Sequence, residues 1–552
     1  MEPATIAAQL RELAVYYELD GDRHRAFAYE RAAKSVEAAN GLHRLVEEGR
    51  LEELPGIGSS IARVIAELCR RGTVTVLERL RAQWPSVVIE LAQLPKVGVQ
   101  RARKIFQTLA PADLDAVAAM CRAHTISELP GFGKVSEQKI LQAIEERRLK
   151  GVQVILVDAE DHAASLAHHL QADAAAKQVA ICGPVRRWCE VVDHLAYAVA
   201  TDDRDAMIAR LQSFALVTSV DRSSTGPIVG YLAGGLRAEI HIAAPNHFGW
   251  AQVVATGSPE HVAQLEARAR DRGLDLAVLE ARDEKLVYTA LGVPWLPPEL
   301  RDGTDDRFDD LITLEDLTVA THCHTTYSDG KNSIAEMVQA AAELGFLGIT
   351  ITDHSAAASY AGGLDLARLQ EQALEIAGLA DPPARILRGT EADILADGQL
   401  DVPPDILDGL DVVIASVHQR FKLDEDGMTD RLVTAMRQPY FKIWGHALGR
   451  LVLRREPIKC RIDDVLDAAA ESRAAIEING DPYRLDLDPV NARKAKARGL
   501  KFVLSSDAHS VRGLRATRFA VAMARRARIR KQDVLNALPV DELADHVRPR
   551  AR

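Results

Sequence analysis

Val319-Ala320-Thr321-His322-Cys323-His324-Thr325-Thr326-Tyr327-Ser328-Asp329-Gly330 is the stretch that decides the fold of the C-terminal region. Apolar residues lead into two histidines two positions apart, and side chains at that spacing on a strand share a face. A Ser-Asp-Gly turn follows at once and keeps Asp329 close to the pair. Ser506-Asp507-Ala508-His509 repeats the pattern at the end of the region. Between them, short apolar segments at 348–352, 384–387, 412–416, 442–444, 475–478 and 501–504 alternate with helical patterns. That rhythm predicts an α/β barrel, a fold that places its chemistry just after the strands.

Histidine usage points the same way. The six histidines between Asp310 and Leu543 are His322, His324, His354, His418, His446 and His509. Each falls within or just after a predicted strand, and none on an intervening helix. Glu391, in Arg388-Gly389-Thr390-Glu391, follows another strand. Mixed imidazole and carboxylate donors suit Zn²⁺, Mn²⁺ or Fe²⁺ rather than Ca²⁺ or a thiolate-bound zinc. The candidate ligands are therefore His322, His324, Asp329, His354, Glu391, His418, His446, Asp507 and His509, more than one ion needs. Two or three divalent ions are expected, able to clamp a phosphate and acidify water. Arg420, Arg450 and Arg484 are candidates for holding the substrate phosphate, because the guanidinium fork matches phosphate oxygens. Arg454 and Arg455 read equally well as surface ion-pairing residues.

The first 150 residues have a helical pattern and contain a repeat. Leu54-Pro55-Gly56-Ile57-Gly58, Leu94-Pro95-Lys96-Val97-Gly98 and Leu129-Pro130-Gly131-Phe132-Gly133 each precede a helix-period segment. Such turns present backbone N–H groups at a helix start, where they and the helix dipole suit a nucleic-acid phosphate. This is the helix-hairpin-helix pattern, with Gly56, Gly58, Lys96, Gly98, Gly131 and Gly133 as its DNA-binding positions. Segments 152–157, 179–182, 195–200 and 238–242 read as strands among helices, and the Pro-rich stretch from Pro294 to Asp310 reads as a linker.

Bulk properties set limits. A chain of 552 residues is too long for one core. Its six cysteines form no CxxC pair and read as reduced thiols in a cytoplasm. No apolar run is long enough for a membrane helix, and no secretion signal opens the chain. The net charge is −11, yet residues 1–150 hold 22 Lys+Arg against 20 Asp+Glu, so the excess negative charge lies beyond them. Net charge alone decides nothing about nucleic acid here.

The barrel motifs resemble the PHP (polymerase and histidinol phosphatase) family. They are Thr321-His322-Cys323-His324-Thr325 with Ser328-Asp329-Gly330, Ile351-Thr352-Asp353-His354, Glu391, Ala415-Ser416-Val417-His418, Gly445-His446 and Ser506-Asp507-Ala508-His509. The resemblance implies a distorted seven-stranded barrel holding three metals, with Asp353 as a supporting partner rather than a ligand. Ala320 stands where the family usually has Asp. The order of parts, nearly end to end, is similar to the bacterial X-family DNA polymerases. The segments Leu291-Gly292-Val293-Pro294-Trp295-Leu296-Pro297-Pro298-Glu299-Leu300 and Asn479-Gly480-Asp481-Pro482-Tyr483-Arg484-Leu485-Asp486-Leu487 of this chain fit that family closely. The expected layout is a helical DNA-binding domain at 1–85, a fingers-like region with further hairpins at 86–150 and an α+β nucleotidyltransferase-like palm at 151–230. A thumb at 231–300, a linker at 301–316 and the PHP barrel at 317–545 complete it.

The palm departs from that family. Nucleotidyl transfer needs two Mg²⁺ ions held by three carboxylates. In Gly183-Pro184-Val185-Arg186-Arg187-Trp188-Cys189-Glu190-Val191-Val192-Asp193-His194-Leu195-Ala196, the residues Gly183, Arg186, Arg187 and Glu190 fit. Pro184 replaces the serine that contacts triphosphate, His194 and Ala196 replace the Asp-x-Asp, and Glu239 replaces the third Asp. Asp193 is one residue out of register, which on a strand means the opposite face. No Mg²⁺ is expected in the palm and no polymerisation. In eukaryotic relatives a Schiff-base lysine follows the first hairpin; here the position is Val64. The expectation is a metal-dependent DNA phosphoesterase, a 3′→5′ exonuclease or 3′-end processor in DNA repair, acting as a monomer on gapped or 3′-ended DNA. The alternatives are a gap-filling polymerase with exonuclease activity and a histidinol-phosphatase-like phosphomonoesterase.

Overall fold

The computed structural model describes residues 3–39, 42–71, 74–94, 97–221, 226–303, 308 and 310–549. Two compact units emerge: Met1–Arg186 with Val192–Trp295, and Leu296–Arg552 with the short segment Arg187–Val191.

The first unit begins with helices. Ile6, Leu10 and Leu13 of the helix Pro3–Asp20 recur at helical spacing and, like Leu19, are fully buried. They share one core with Ile65 and Leu68 of Ser59–Arg71 and Ile105 of Gly98–Leu109. The three hairpins close on the same i-to-i+3 turn. The N–H groups of Ile57, Val97 and Phe132 donate to the carbonyls of Leu54, Leu94 and Leu129 at 3.1, 3.1 and 2.9 Å. Gly56, Gly98 and Gly131 all have positive φ, where a side chain would be strained. Lys96 lies outside the described residues.

The palm sheet has five strands: β1 (Gln178–Cys182), β2 (His194–Ala200), β3 (Val217–Asp221), β4 (Ile228–Leu232) and β5 (Arg237–Ala243), in the order β1-β2-β5-β4-β3. β2 and β5 are parallel, with Ala196 opposite Glu239 and His194 opposite Arg237. Two expectations are corrected here. Leu156 and Val157, expected in a strand, open the helix Leu156–Gln171, and β3 and β4 were not anticipated.

The second unit is a closed, all-parallel barrel of seven strands. These are β6 (Val319–Cys323), β7 (Gly348–Ile351), β8 (Arg385–Asp393), β9 (Val412–Ser416), β10 (Ile443–Trp444), β11 (Ala475–Asn479) and β12 (Phe502–Ala508), ordered β8-β9-β10-β11-β12-β6-β7. Every residue of β6 is buried, as are those of β9 and β11, as strands covered on both faces require. Closure leaves no strand edge unpaired. The crossover helices start on defined caps. Ser333 and Glu336 form a capping box on Ile334–Glu343, and Asp365 caps Leu366–Gly378. The expected linker is instead anchored at its start: Arg301 is fully buried and donates to the Leu296 carbonyl, and Glu299 pairs with Arg525. Among the described residues no helix is long and apolar enough to cross a membrane.

Candidate metal centre

The strand ends carry the site. His322 lies on β6 and His324 just beyond it. His354 follows β7, Glu391 lies on β8, His418 follows β9, and His446 follows β10. Asp507 lies on β12, His509 follows it, and Asp329 comes from the turn after β6. The register of β6 shifts against both neighbours, between Ala320 and Cys323 on one side and Ser505 and Ala508 on the other. Bulges of this kind re-aim side chains. His322, His446 and Asp507 have φ of 58°, 23° and 50°, in the left-handed region that residues with side chains seldom occupy. Strain of this kind gathers at functional sites.

All nine expected ligands are brought together. Three overlapping groups form: His324, Asp329, His354 and His509; His322, His324 and Asp507; and His354, Glu391 and His418. Glu391 is the hub. One of its oxygens is 2.9 Å from Nδ1 of His354 and 3.4 Å from Nε2 of His322, and the other is 2.8 Å from Nε2 of His446 and 3.3 Å from Nε2 of His418. Asp507 is 3.2 Å from Nε2 of His324. Nε2 of His322 and of His418, both ring nitrogens of His324 and both oxygens of Glu391 are buried without a hydrogen-bond partner. Buried polar groups are normally satisfied, so orphaned donors gathered at one point fit divalent cations. Asp329 and His509 are 38% and 35% exposed, which marks the open side of the cluster.

A second layer orients these rings, as metal-ligating histidines require. Nδ1 of His322 is 2.5 Å from Glu477, and Nδ1 of His418 meets Asp393. Glu477 also accepts from the His446 amide and from the Ser505 hydroxyl. The oxygens of Asp353 are taken by Thr325, Ser328 and Gln372, in keeping with a supporting role. Glu477 and Asp393 were missed in the sequence. A lone acid in the apolar run Ala475-Ile476-Glu477-Ile478 was the available signal.

The arginines separate. Arg484 is 21% exposed, with Nε 3.4 Å from Asp507. Arg420 is exposed, has φ 56°, and lines a cavity of about 360 Å³ with Asp393, Gln419 and Arg431. Arg450 is a correction: its guanidinium donates to Glu190 and to the carbonyls of Arg484 and Leu485, which makes it framework rather than a phosphate contact.

Burial alone would depress the histidines, but carboxylates outweigh it at three of them: Glu477, Asp507 and Glu391 hold His322 well above the ordinary imidazole range. Glu391 and Asp393 push His418 up to about 10, and Asp329 and Asp507 push His509 up to about 9. Both rings therefore hold protons at neutral pH when no metal is present, and cation binding must expel them. Adding Mn²⁺ or Zn²⁺ to metal-free protein in weak buffer at neutral pH will release protons, and apparent affinity will rise with pH until these groups have titrated. Calorimetry in buffers of different ionisation enthalpy measures the protons released; zero release would contradict the assignment.

Family models match four stretches: a helix-hairpin-helix domain at residues 1–74, a SAM-like helix-hairpin-helix tandem at 88–146, a DNA polymerase beta thumb at 251–302 and a PHP domain at 320–481. The chain is 31% identical to the DNA polymerase/3′-5′ exonuclease PolX of Bacillus subtilis, over 97% of this chain and 98% of that protein. It belongs to the PolX family. The barrel alone is also similar to phosphatases. A probable phosphatase of Caldanaerobacter subterraneus is 33% identical over 35% of this chain and 76% of its own length, and one of Thermoanaerobacter sp. is 30% identical over 43% and 96%.

As a PolX protein the chain joins DNA-binding hairpins to a PHP barrel whose His, Asp and Glu clusters are compatible with divalent metals. At the PolX palm positions, Pro184 is buried in the helix Gly183–Arg186. His194 shares a 2.7 Å contact with Asp193, and Glu239 pairs with Arg237 at 3.0 Å. Ala196 packs with Cys182, Ala198, Phe248 and Ala255.

Proposed function

We propose that this PolX-family chain is a metal-dependent DNA phosphodiesterase, trimming 3′ ends from the PHP barrel while its polymerase body binds DNA without extending it. The observation that carries this reading is the asymmetry between two sites. Nine side chains converge at one end of the barrel, and six of them, His322, His324, His354, Glu391, His418 and His446, carry buried nitrogen or oxygen atoms with no hydrogen-bond partner. The palm presents His194, an apolar Ala196 and Glu239 where nucleotidyl transfer needs three carboxylates.

We assign two or three divalent ions to the barrel, Zn²⁺ or Mn²⁺ with Fe²⁺ as the further candidate, held by His322, His324, Asp329, His354, Glu391, His418, His446, Asp507 and His509. Such ions supply positive charge to a phosphoryl group and acidity to water. The chain's own residues do the rest. Arg484 and Arg420 hold the non-bridging phosphate oxygens, Arg484 from beside Asp507 and Arg420 from the adjoining cavity. Glu477 and Asp393 fix the His322 and His418 rings by their Nδ1 atoms, so that Nε2 of each faces the cluster. The hairpins at Gly56, Gly98 and Gly131 bring a duplex bearing a gap or a 3′ end, and the chain acts as a monomer.

The test is a gapped duplex with a 5′-labelled primer and Mn²⁺. A descending ladder of labelled products is expected, with little release of phosphate from p-nitrophenyl phosphate. The reverse pattern would favour a monoester phosphatase, the second reading, which the similarity of the barrel alone to probable phosphatases supports. Arg484→Ala will lower kcat/KM by about 10- to 100-fold with metal content unchanged, because a charge-assisted contact to phosphate is lost. Arg484→Lys will recover only part, since lysine lacks the fork. Steady-state kinetics beside metal analysis checks both.

A further inference from the structure

The segment Arg187–Val191 sits in the palm stretch of the sequence but belongs to the barrel's compact unit. Arg187, Trp188 and Glu190 fasten it there. Arg187 donates to Asp302 at 2.7 Å, and Asp302 also takes Arg526 at 2.5 Å. The Trp188 carbonyl accepts from Arg526 at 3.1 Å; its ring meets Phe519 edge-on at 5.7 Å, and Arg518 lies 5.3 Å from the ring centre. Glu190 forms an ion pair with Arg450, with the two side chains 20% and 15% exposed.

That pair leads to the candidate metal centre. Arg450 Nε donates to the Arg484 carbonyl at 3.1 Å, and its Nη2, which meets Glu190, also donates to the Leu485 carbonyl. Arg484 in turn sets its own guanidinium 3.4 Å from Asp507, which is 3.2 Å from His324. A single partly buried arginine thus ties Glu190 to the backbone of the residue that faces the cluster. Removing the carboxylate would take from Arg450 its ion-pair partner, leaving Asp486 and Asp488 as charge partners and letting the guanidinium shift, and small misplacements at a reacting centre are costly.

We propose that Glu190 is a positioning residue for the barrel's phosphodiesterase, holding Arg484 in register with Asp507 through Arg450. The proposal rests on the phosphodiesterase reading above. It gives Glu190 a use that does not depend on a working polymerase, although the resemblance places it in a polymerase motif.

The test uses the full chain with Mn²⁺ and a 5′-labelled oligonucleotide. Glu190→Ala should lower kcat/KM by about 10-fold, with metal content unchanged. Glu190→Asp should recover part of the loss. Glu190→Gln keeps the shape and the acceptor and loses only the charge, so it reports if the alanine variant folds poorly. The double variant Glu190→Ala/Arg484→Ala should be no slower than Arg484→Ala alone, because both substitutions act through one guanidinium. Hydrogen exchange of the Arg484 and Leu485 amides, which donate to the Asp481 carbonyl at 2.8 and 3.0 Å, should quicken in Glu190→Ala and Glu190→Gln. Additive losses in the double variant, or exchange and rates equal to wild type, would overturn the proposal. If the wild-type chain hydrolyses nothing, the phosphodiesterase reading falls, and exchange alone then decides: faster exchange upholds the tether and unchanged exchange sinks it.

Discussion

Glu391→Gln will lower DNA hydrolysis on the order of 1,000-fold, about 4 kcal/mol of lost transition-state stabilisation, and will remove at least one bound divalent ion. The carboxylate is fully buried and its two oxygens reach four imidazoles within 3.4 Å. Burial would raise its pKa, but His418, His322 and His354 together hold it well below the ordinary glutamate range. The amide keeps the volume and loses the charge on which these imidazoles converge. Glu477→Gln makes the useful contrast, because Glu477 reaches the centre through His322, the His446 amide and Asn479, which also donates to Asp507. Its loss should cost about 10- to 100-fold. Metal analysis and single-turnover rates on the two variants measure the gradient. Equal effects would mean that Glu391 is not the hub. In the metal-free Glu391→Gln protein, the His418 pKa should also fall from about 10, since Glu391 is its largest charge partner; an NMR titration reads that shift.

The second large effect concerns the palm. The wild-type chain will add no nucleotide to a gapped primer, and Ala196→Asp will destabilise the protein rather than restore synthesis. The Ala196 side chain is 2% exposed and packs in an apolar cluster with Cys182 and Phe248. A Cβ built on Gly183 would lie 2.8 Å from that of Ala196, so the space is already closed. A carboxylate there would also stand beside Glu239, a like charge on the neighbouring strand. Such burial costs about 3 kcal/mol or more. A denaturation midpoint equal to wild type would show that the palm still has room for the missing acid.

Much of this was legible in the sequence for a physical reason. A parallel barrel exposes chemistry only at one end of its strands, so His322, His354, His418 and His446 had to cluster at segment ends, and they do. Glu391 was expected just after a strand; it lies within β8, which runs on to Asp393. The pairing of His322 with His324 followed from period-two geometry, but the bulges and positive φ that bring His322 and Asp507 to the cluster depend on register between strands far apart in sequence. Glu477 was overlooked because it is no ligand candidate by spacing; its role arises only when β11 lies beside β12. β3 went unseen because its exposure pattern shows no buried face to drive an apolar alternation. Arg450 was misplaced because four residues after a histidine says nothing of direction; the segment around Glu190 supplies its partner from 260 positions away.

The most direct measurement is a 5′-labelled gapped primer–template incubated with Mn²⁺, with and without dNTPs, beside a His322→Ala/His324→Ala variant. The primer should shorten in both mixtures and never lengthen, and the variant should leave it intact. Extension of the primer when dNTPs are present would contradict this, and would mean that the palm holds its metals without the carboxylates missing at His194 and Ala196.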